Sequence, residues 1–312
     1  MAHAVVMGEA LVDLLETGTG DERTYRPVLG GAPFNVAVGV ARLGGHAEFV
    51  GSLGDDVWAD RAERFLAAAG VGVGGVRRSG TATTLAMTTF TGAEPQFRFY
   101  GEPPSYALLE QADLDTDLVA GAAVLYTGSI SLLREPFRGT AVRAWTTPGP
   151  LKVFDPNVRP SLLPDTAAVD RLRRLAEEFA ATADLVKLSS ADVAVLYGGA
   201  TVAQAAARLR TIGARAVVVT QGPHGAWLDG PAGVAQIPAP VVAAIDATGA
   251  GDSVMAALIH RWLTAGPPGG PARWKADLAF ALAVAALVCE RPGGAVAMPT
   301  LDELRSRWGE LP

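Results

Sequence analysis

Cysteine is almost absent from the sequence, since Cys289 is the only one among 312 residues. This excludes an intramolecular disulfide and a zinc site built from several cysteines, and it is consistent with a reducing cytoplasm. Lysine is also scarce, and none of Lys152, Lys187 and Lys275 follows glycines in the pattern G-x-x-x-x-G-K-[ST]. A Walker-type phosphate loop is therefore excluded as well.

Clustered positive charge and long apolar segments are missing too. The formal net charge is −6 and the basic residues are scattered, which argues against binding to nucleic acid or to an anionic membrane. The four histidines are far apart and show no metal-ligand spacing. The longest apolar run, at 278–289, is too short to span a membrane and predicts a buried helix. Because residues 1–9 lack the pattern of a secretory signal, we expect a cytoplasmic protein.

The residues that are present indicate a compact enzyme-like globule, with 49% hydrophobic and 19% charged residues. Short apolar runs alternate with longer helical patterns, as in the runs at 4–7 and 47–50. This alternation predicts an α/β fold with a mainly parallel sheet covered by helices on both faces. Two stretches, 10–29 and 83–101, break the rhythm and predict antiparallel hairpins in a small second sheet.

The sequence DATGAGD at 246–252 directly precedes an apolar helical run and is the strongest motif. Gly249 and Gly251 would let backbone N–H groups at a helix N-terminus close around a phosphate. Asp252 would then lie beside a transferring phosphoryl group and take the proton from an attacking hydroxyl. The alternative is simple helix capping by Asp246 and Thr248.

A second motif, LGGAPFNVAVGVARLG at 29–44, places Gly30 and Gly31 before Pro33 and a helix. The glycines and the proline could merely form a turn that opens the helix. Alternatively, Asn35 presents an amide to the hydroxyls of a ligand that lies over the glycines. The sequence alone leaves both interpretations open.

Two other chemistries find little support. GVGVGG at 70–75 has the G-x-G-x-x-G spacing of a dinucleotide site, but it follows a helical pattern and precedes no helix. We expect it to be a loop, and an NAD-dependent oxidoreductase would depend on this segment alone. A G-x-S-x-G elbow is absent, so a serine hydrolase has no support.

Together the two long motifs resemble those of the ribokinase-like, or PfkB-type, carbohydrate kinases. GEALVDL at 8–14, GSLGDD at 51–56 and DPNVRPSLLPD at 155–165 fit the same pattern in order, so the resemblance covers nearly the whole chain. It implies one kinase domain over 1–312, with a three-layer α/β/α core and a mainly parallel central sheet. It also implies a small, discontinuous β-sheet lid from about 10–29 and 83–101, which often forms a homodimer contact.

The resemblance assigns roles to individual residues. It implies that Asp252 is the general base and that Gly249, Ala250 and Gly251 form the anion hole. The positions that match the family's sugar-binding residues are Asp13, Gly30, Gly31 and Asn35. We add Arg98 and Arg159 as donors to the substrate or to a phosphate, although Arg159 could instead be a surface ion-pair partner. The positions that match ATP contacts are Lys187, Thr220, Gly222 and Gly225.

The implied substrates are ATP, carried with Mg²⁺, and a small sugar, and K⁺ could activate the enzyme. Metal ligands stay unassigned, because Ser190 stands where the family commonly has an acidic residue, with Asp192 nearby. The motifs are most similar to those of fructokinases and 2-keto-3-deoxygluconate kinases, so we expect a fructokinase. The alternatives are a 2-keto-3-deoxygluconate kinase, a ribokinase, a nucleoside kinase, or a sugar-binding regulator that has lost catalysis.

Overall fold

A computed structural model of the chain describes residues 2–17, 24–91 and 94–309. The strands are β1 Ala4–Met7, β2 Leu11–Thr17, β3 Thr24–Gly30, β4 Ala47–Leu53, β5 Gly72–Arg78, β6 Leu85–Thr91, β7 Glu94–Tyr100, β8 Val124–Gly128, β9 Leu151–Asp155, β10 Leu185–Ser189, β11 Val217–Thr220, β12 Ala226–Gly230 and β13 Gly233–Ile237. The helices are α1 Ala32–Arg42, α2 Val57–Ala68, α3 Thr116–Ala120, α4 Phe137–Thr146, α5 Thr166–Ala180, α6 Ser190–Tyr197, α7 Val202–Ile212, α8 Ala250–Ala265, α9 Pro271–Cys289, α10 Gly294–Ala297 and α11 Leu301–Trp308.

Nine of these strands form a central sheet in the order β13-β12-β11-β10-β9-β8-β1-β4-β5. The pairs from β11 to β5 are parallel, and β12 and β13 add an antiparallel edge. β1 and β8, in the middle of the sheet, are buried along their whole length because helices cover both faces. Val6 and Tyr126 pack on the face that α1, α8 and α9 cover, whereas Val5 and Leu125 pack on the face that α4, α5 and α7 cover. The predicted three-layer α/β/α architecture is confirmed.

The small second sheet has the strand order β3-β2-β6-β7. Its outer pairs are antiparallel, and β2 pairs with β6 in parallel. Its strands fall in the two stretches predicted from the broken rhythm, except that β3 extends one residue further, to Gly30. Residues 18–23 and 92–93 of those stretches lie outside the described residues.

The prediction of a loop at 70–75 holds only for 70–71 and was wrong for 72–75, because β5 begins at Gly72 and forms the edge of the large sheet. Glycine has a low strand propensity, but here the backbone bonds to β4 decide the conformation. A side chain on Gly75 would meet Val50 Cγ2 at 2.6 Å, so the close packing against β4 favours glycine.

The apolar run at 278–289 forms the second half of α9, which is buried along most of that length. The prediction of a buried helix is therefore confirmed. Within the described ranges, no helix is long and apolar enough to cross a bilayer.

Candidate active site

A cleft of about 880 Å³ opens where the parallel strands of the large sheet end, beside the small sheet. Residues that follow β1, β8, β9, β10 and β11 line it, as expected for a ligand site at the carboxyl ends of parallel strands. The side opposite these strand ends is formed by α8 and the small sheet. Six of the lining residues are Asp13, Asn35, Asn157, Arg159, Lys187 and Asp252.

The first turn of α8 contributes both a carboxylate and exposed backbone to this cleft. Gly249 is the N-cap in the left-handed conformation, with φ +81°, and no side chain caps the helix. Asp246 accepts a hydrogen bond from the N–H of Thr248 instead, so the capping alternative does not describe this helix end. The N–H of Ala250 bonds to the carbonyl oxygen of Ala247. Within the described residues, the N–H groups of Gly249 and Gly251 have no hydrogen-bond partner, and these two glycines line the cleft at the positive end of the helix dipole. Asp252 lies at the third helical position and is 6% exposed.

Two amide side chains hold the Asp252 carboxylate. Asn35 donates its Nδ2 to Oδ2 over 2.7 Å, and Asn157 donates its Nδ2 to Oδ1 over 3.2 Å. These two hydrogen bonds fix the orientation of the carboxylate. The charged form can accept a proton, so the arrangement suits a general base.

A buried ion pair lies beside the first turn of α8. Lys187 Nζ is 2.8 Å from Asp155 Oδ2, and both side chains are almost fully buried. Burial alone would lower the pKa of Lys187, but Asp155 and Asp192 outweigh it and raise that pKa above its ordinary value. Burial raises the pKa of Asp155 to about 6, against the opposing effect of Lys187. A Cβ on Gly251 would lie 2.8 Å from Lys187 Nζ, so the glycine leaves the ammonium next to the α8 N-terminus.

The glycine pair before α1 makes room for two acidic residues. A Cβ on Gly30 would lie 2.2 Å from Asp13 Oδ2. Gly31 has φ +111°, and a Cβ there would lie 2.5 Å from the carbonyl oxygen of Glu9. The Glu9 carboxylate accepts hydrogen bonds from the N–H groups of Ala32 and Ser131. The pair thus permits close packing against Asp13 and Glu9, which a simple turn would not require.

Burial is the main cause of the shifted pKa values of Asp13 and Glu9. It raises the pKa of Asp13 to about 6, because the neighbouring carboxylates Asp252 and Glu9 act in the same direction and Arg159 only partly offsets them. Burial also raises the pKa of Glu9, although hydrogen bonds from Ser129 and Ser131 oppose the shift. Acids with raised pKa values in a cleft are typical of functional sites.

The other predicted residues differ in their relation to the cleft. Arg159, Thr220 and Gly222 line it. Arg159 is not simply a surface ion-pair partner, because its Nη1 donates to the side-chain oxygen of Asn157. Gly225 packs against the β13 end instead, where a Cβ would clash with the carbonyl of Ile237. Arg98 is exposed on β7 and lines a neighbouring cavity rather than this cleft.

Sequence reasoning missed Glu9, Asp155 and Asn157 as site residues. Asp155 and Asn157 belong to the DPNVRP segment, in which the sequence assigns a role to Arg159 alone. The signal that could have found Asn157 is its position directly after a buried strand, where side chains project into the cleft. Asn157 also adopts φ +37°, a conformation that asparagine tolerates better than most residues.

The described residues contain no group of three His, Cys, Asp or Glu side chains arranged to hold a metal. Asp192 lines the cleft, but its carboxylate accepts bonds from Ser189 and from the N–H of Val158. This donor set fits Mg²⁺ that arrives with its nucleotide, because that ion commonly takes most ligands from phosphates and water.

Comparison with known proteins decides the family. Residues 1–301 match the pfkB family carbohydrate kinases. The chain belongs to the PfkB family. It is 35% identical over 306 residues to a fructokinase of Klebsiella pneumoniae, covering 96% of this chain and 97% of the relative. It is 34% identical over 312 residues to fructokinase-1 of Oryza sativa subsp. japonica, covering 96% and 95%.

Solved PfkB-type structures have the same fold. The fructokinase of Xylella fastidiosa with bound ATP superposes with a TM-score of 0.86 at 28% identity, covering 99% of both chains. The aminoimidazole riboside kinase of Salmonella enterica, complexed with its riboside and an ATP analogue, gives 0.84 at 27% identity, covering 99% and 100%. This PfkB protein is therefore a carbohydrate kinase, a phosphotransferase with an alcohol group as acceptor.

Proposed function

We propose that the protein is a fructokinase, which transfers the γ-phosphoryl group of ATP to a hydroxyl of fructose. The observation that carries the reaction is the position of Asp252, a buried carboxylate held by two amides at the N-terminal turn of α8. The choice of fructose rests on the fructokinase relatives that cover nearly the whole chain.

In the proposed reaction, Asp252 removes the proton from the acceptor hydroxyl, whose oxygen then attacks the γ-phosphorus. Asn35 and Asn157 fix the orientation of the Asp252 carboxylate at the cleft. The N–H groups of Gly249 and Gly251 stabilise the charge on the phosphoryl oxygens, because both glycines line the cleft. Ala250 lies between them and bonds to Ala247 instead. Lys187 adds a positive charge beside the same turn.

The acceptor sugar would lie between Asp13 and the glycine pair, with its hydroxyls donating to the Asp13 carboxylate. The cleft residues Thr220 and Gly222 would border the nucleotide on the other side. Mg²⁺ bound to the ATP phosphates would neutralise part of their charge. We propose that the small sheet acts as a lid that excludes water during transfer.

A 2-keto-3-deoxygluconate kinase is the second candidate, and Arg159 is the observation that favours it. Its guanidinium lines the cleft and could pair with the carboxylate of a sugar acid. Activation by K⁺, a homodimer through the lid and a cytoplasmic location stay predictions.

The test is acceptor-dependent ADP formation by the purified protein with fructose, 2-keto-3-deoxygluconate, ribose and a nucleoside. We expect the highest kcat/KM with fructose, and ³¹P NMR of the product would identify the phosphorylated hydroxyl. A preference for 2-keto-3-deoxygluconate that disappears in Arg159→Gln would move the assignment to the sugar acid. Absence of turnover with every acceptor would favour the regulator.

A further inference from the structure

A second cavity, of about 770 Å³, lies beside the cleft. Phe99 of β7 lines both spaces. The short turn Pro160–Leu162 is shared as well, since Pro160 faces the cleft while Ser161 and Leu162 face the second cavity. The two spaces are thus separated by a thin wall made of one strand and one turn.

The second cavity combines an apolar floor with a positive rim. Tyr106, Leu132 and Leu172 are buried and form part of the floor. Four arginines line the rim, namely Arg98, Arg134, Arg138 and Arg171. This concentration of positive charge contrasts with the net charge of −6 of the whole chain.

Two of the four guanidinium groups have no partner in the part of the chain that the structure describes. Arg138 is paired with Glu135 at 2.6 Å. Arg134 lies 4.0 Å from Glu102, and solvent screens this pair because its side chains are 54% and 76% exposed. Among the described residues, Arg98 and Arg171 have no ion pair and no hydrogen bond from their side chains. Their donors are free to bind an anion.

We propose that this cavity binds a small organic phosphate of the sugar monophosphate class. Guanidinium groups present a planar fork of donors that matches phosphate oxygens, and hydrogen bonds between charged groups are among the stronger ones. The apolar floor of the cavity suits the carbon skeleton of a sugar phosphate, and the volume of the cavity is typical of a small-molecule pocket. An occupant would touch the wall that also borders the acceptor site, so it would change the KM for the acceptor. The inference does not depend on which sugar is phosphorylated.

The test is isothermal titration calorimetry with glucose 6-phosphate, carried out with a non-hydrolysable ATP analogue and the acceptor that gives the highest kcat/KM already present to fill the cleft. The variant is Arg98→Gln combined with Arg171→Gln, whose side chains are exposed, so the thermal midpoint should not change. The matched control is Arg173→Gln, because Arg173 lies on the same helix as Arg171 but pairs with Asp170 and does not line the cavity.

We expect the double variant to raise the Kd for glucose 6-phosphate at least about tenfold, since charge-assisted bonds carry the binding, and the control to leave it unchanged. Inorganic phosphate and uncharged glucose should bind more weakly than glucose 6-phosphate. Binding that survives the double variant but disappears in Asp13→Asn would place the phosphate in the acceptor site and overturn the proposal. Equal affinity for inorganic phosphate, or no binding at all, would overturn it too.

Discussion

Replacing Asn157 by aspartate converts an amide that donates to Asp252 into a second carboxylate. The two oxygens would face each other at the present donor–acceptor distance of 3.2 Å. Aspartate, like asparagine, tolerates the positive φ of +37° at this position, so the backbone should not change. The substitution therefore tests the electrostatics of the candidate base with little change in shape.

The magnitude follows from the distance. Two unit charges at this separation repel by about 5 kcal/mol at an effective dielectric constant of about 20. Arg159 contacts the side chain of Asn157 and would neutralise part of the new charge. Two carboxylates that share a site retain a proton to higher pH, so we expect the acidic limb of the rate profile to move up by about one to three pH units.

The assay is kcat/KM for the acceptor sugar across the pH range, because this ratio reports ionisations of the free enzyme. Asn157→Gly is the matched control. Glycine also tolerates a positive φ, and the substitution removes the hydrogen bond to Asp252 without adding a charge. It should lower the rate without moving the acidic limb. An acidic limb that stays in place in Asn157→Asp would refute the assignment of Asp252 as the group that must be ionised.

Three further outcomes follow from the same geometry. Gly251→Ala should lower kcat about tenfold or more, because its methyl group would push the Lys187 ammonium away from the phosphoryl group, whose charge it stabilises in the transition state. The control Gly74→Ala should leave kcat unchanged, because a Cβ at that position meets open space. Lys187→Met should destabilise the fold by about 3–5 kcal/mol in urea denaturation at neutral pH, because it leaves Asp155 buried without its partner. Asp13 has a folded pKa of about 6, above its unfolded value, so the folded state binds more protons and its contribution to stability falls as pH rises from about 4 to 6. Asp13→Asn should remove that contribution, and an unchanged difference between the urea midpoints at the two ends of this window would contradict the raised pKa.

Local patterns were sufficient to predict the parts of the fold and site that depend on neighbouring residues. The DATGAGD motif sits at the opening turn of α8 because glycine at 249 permits the left-handed N-cap. The strands that begin at positions 4 and 47 could be predicted because their short apolar runs are local features of the sequence. The loop prediction failed at 72–75 because the backbone hydrogen bonds between β5 and β4 override the low strand propensity of glycine.

Contacts between distant residues could not be predicted from the residues themselves. Asn157 and Asp252 are 95 positions apart, and Asn35 and Asp252 are 217 apart. The sheet order that brings the ends of β9 and β10 together also creates the Lys187–Asp155 pair. Asn35 was expected to bind sugar hydroxyls, and the structure shows that its Nδ2 donates to the candidate base.

The most direct measurement is single-turnover phosphoryl transfer by Asp252→Asn, followed by rapid quench with saturating ATP and fructose. We expect the rate to fall by about 100-fold or more, as is typical for loss of a general base, while calorimetry shows nearly normal binding of ATP and fructose. A rate close to that of the unmodified enzyme would show that another group takes the proton and that Asp252 is not the base.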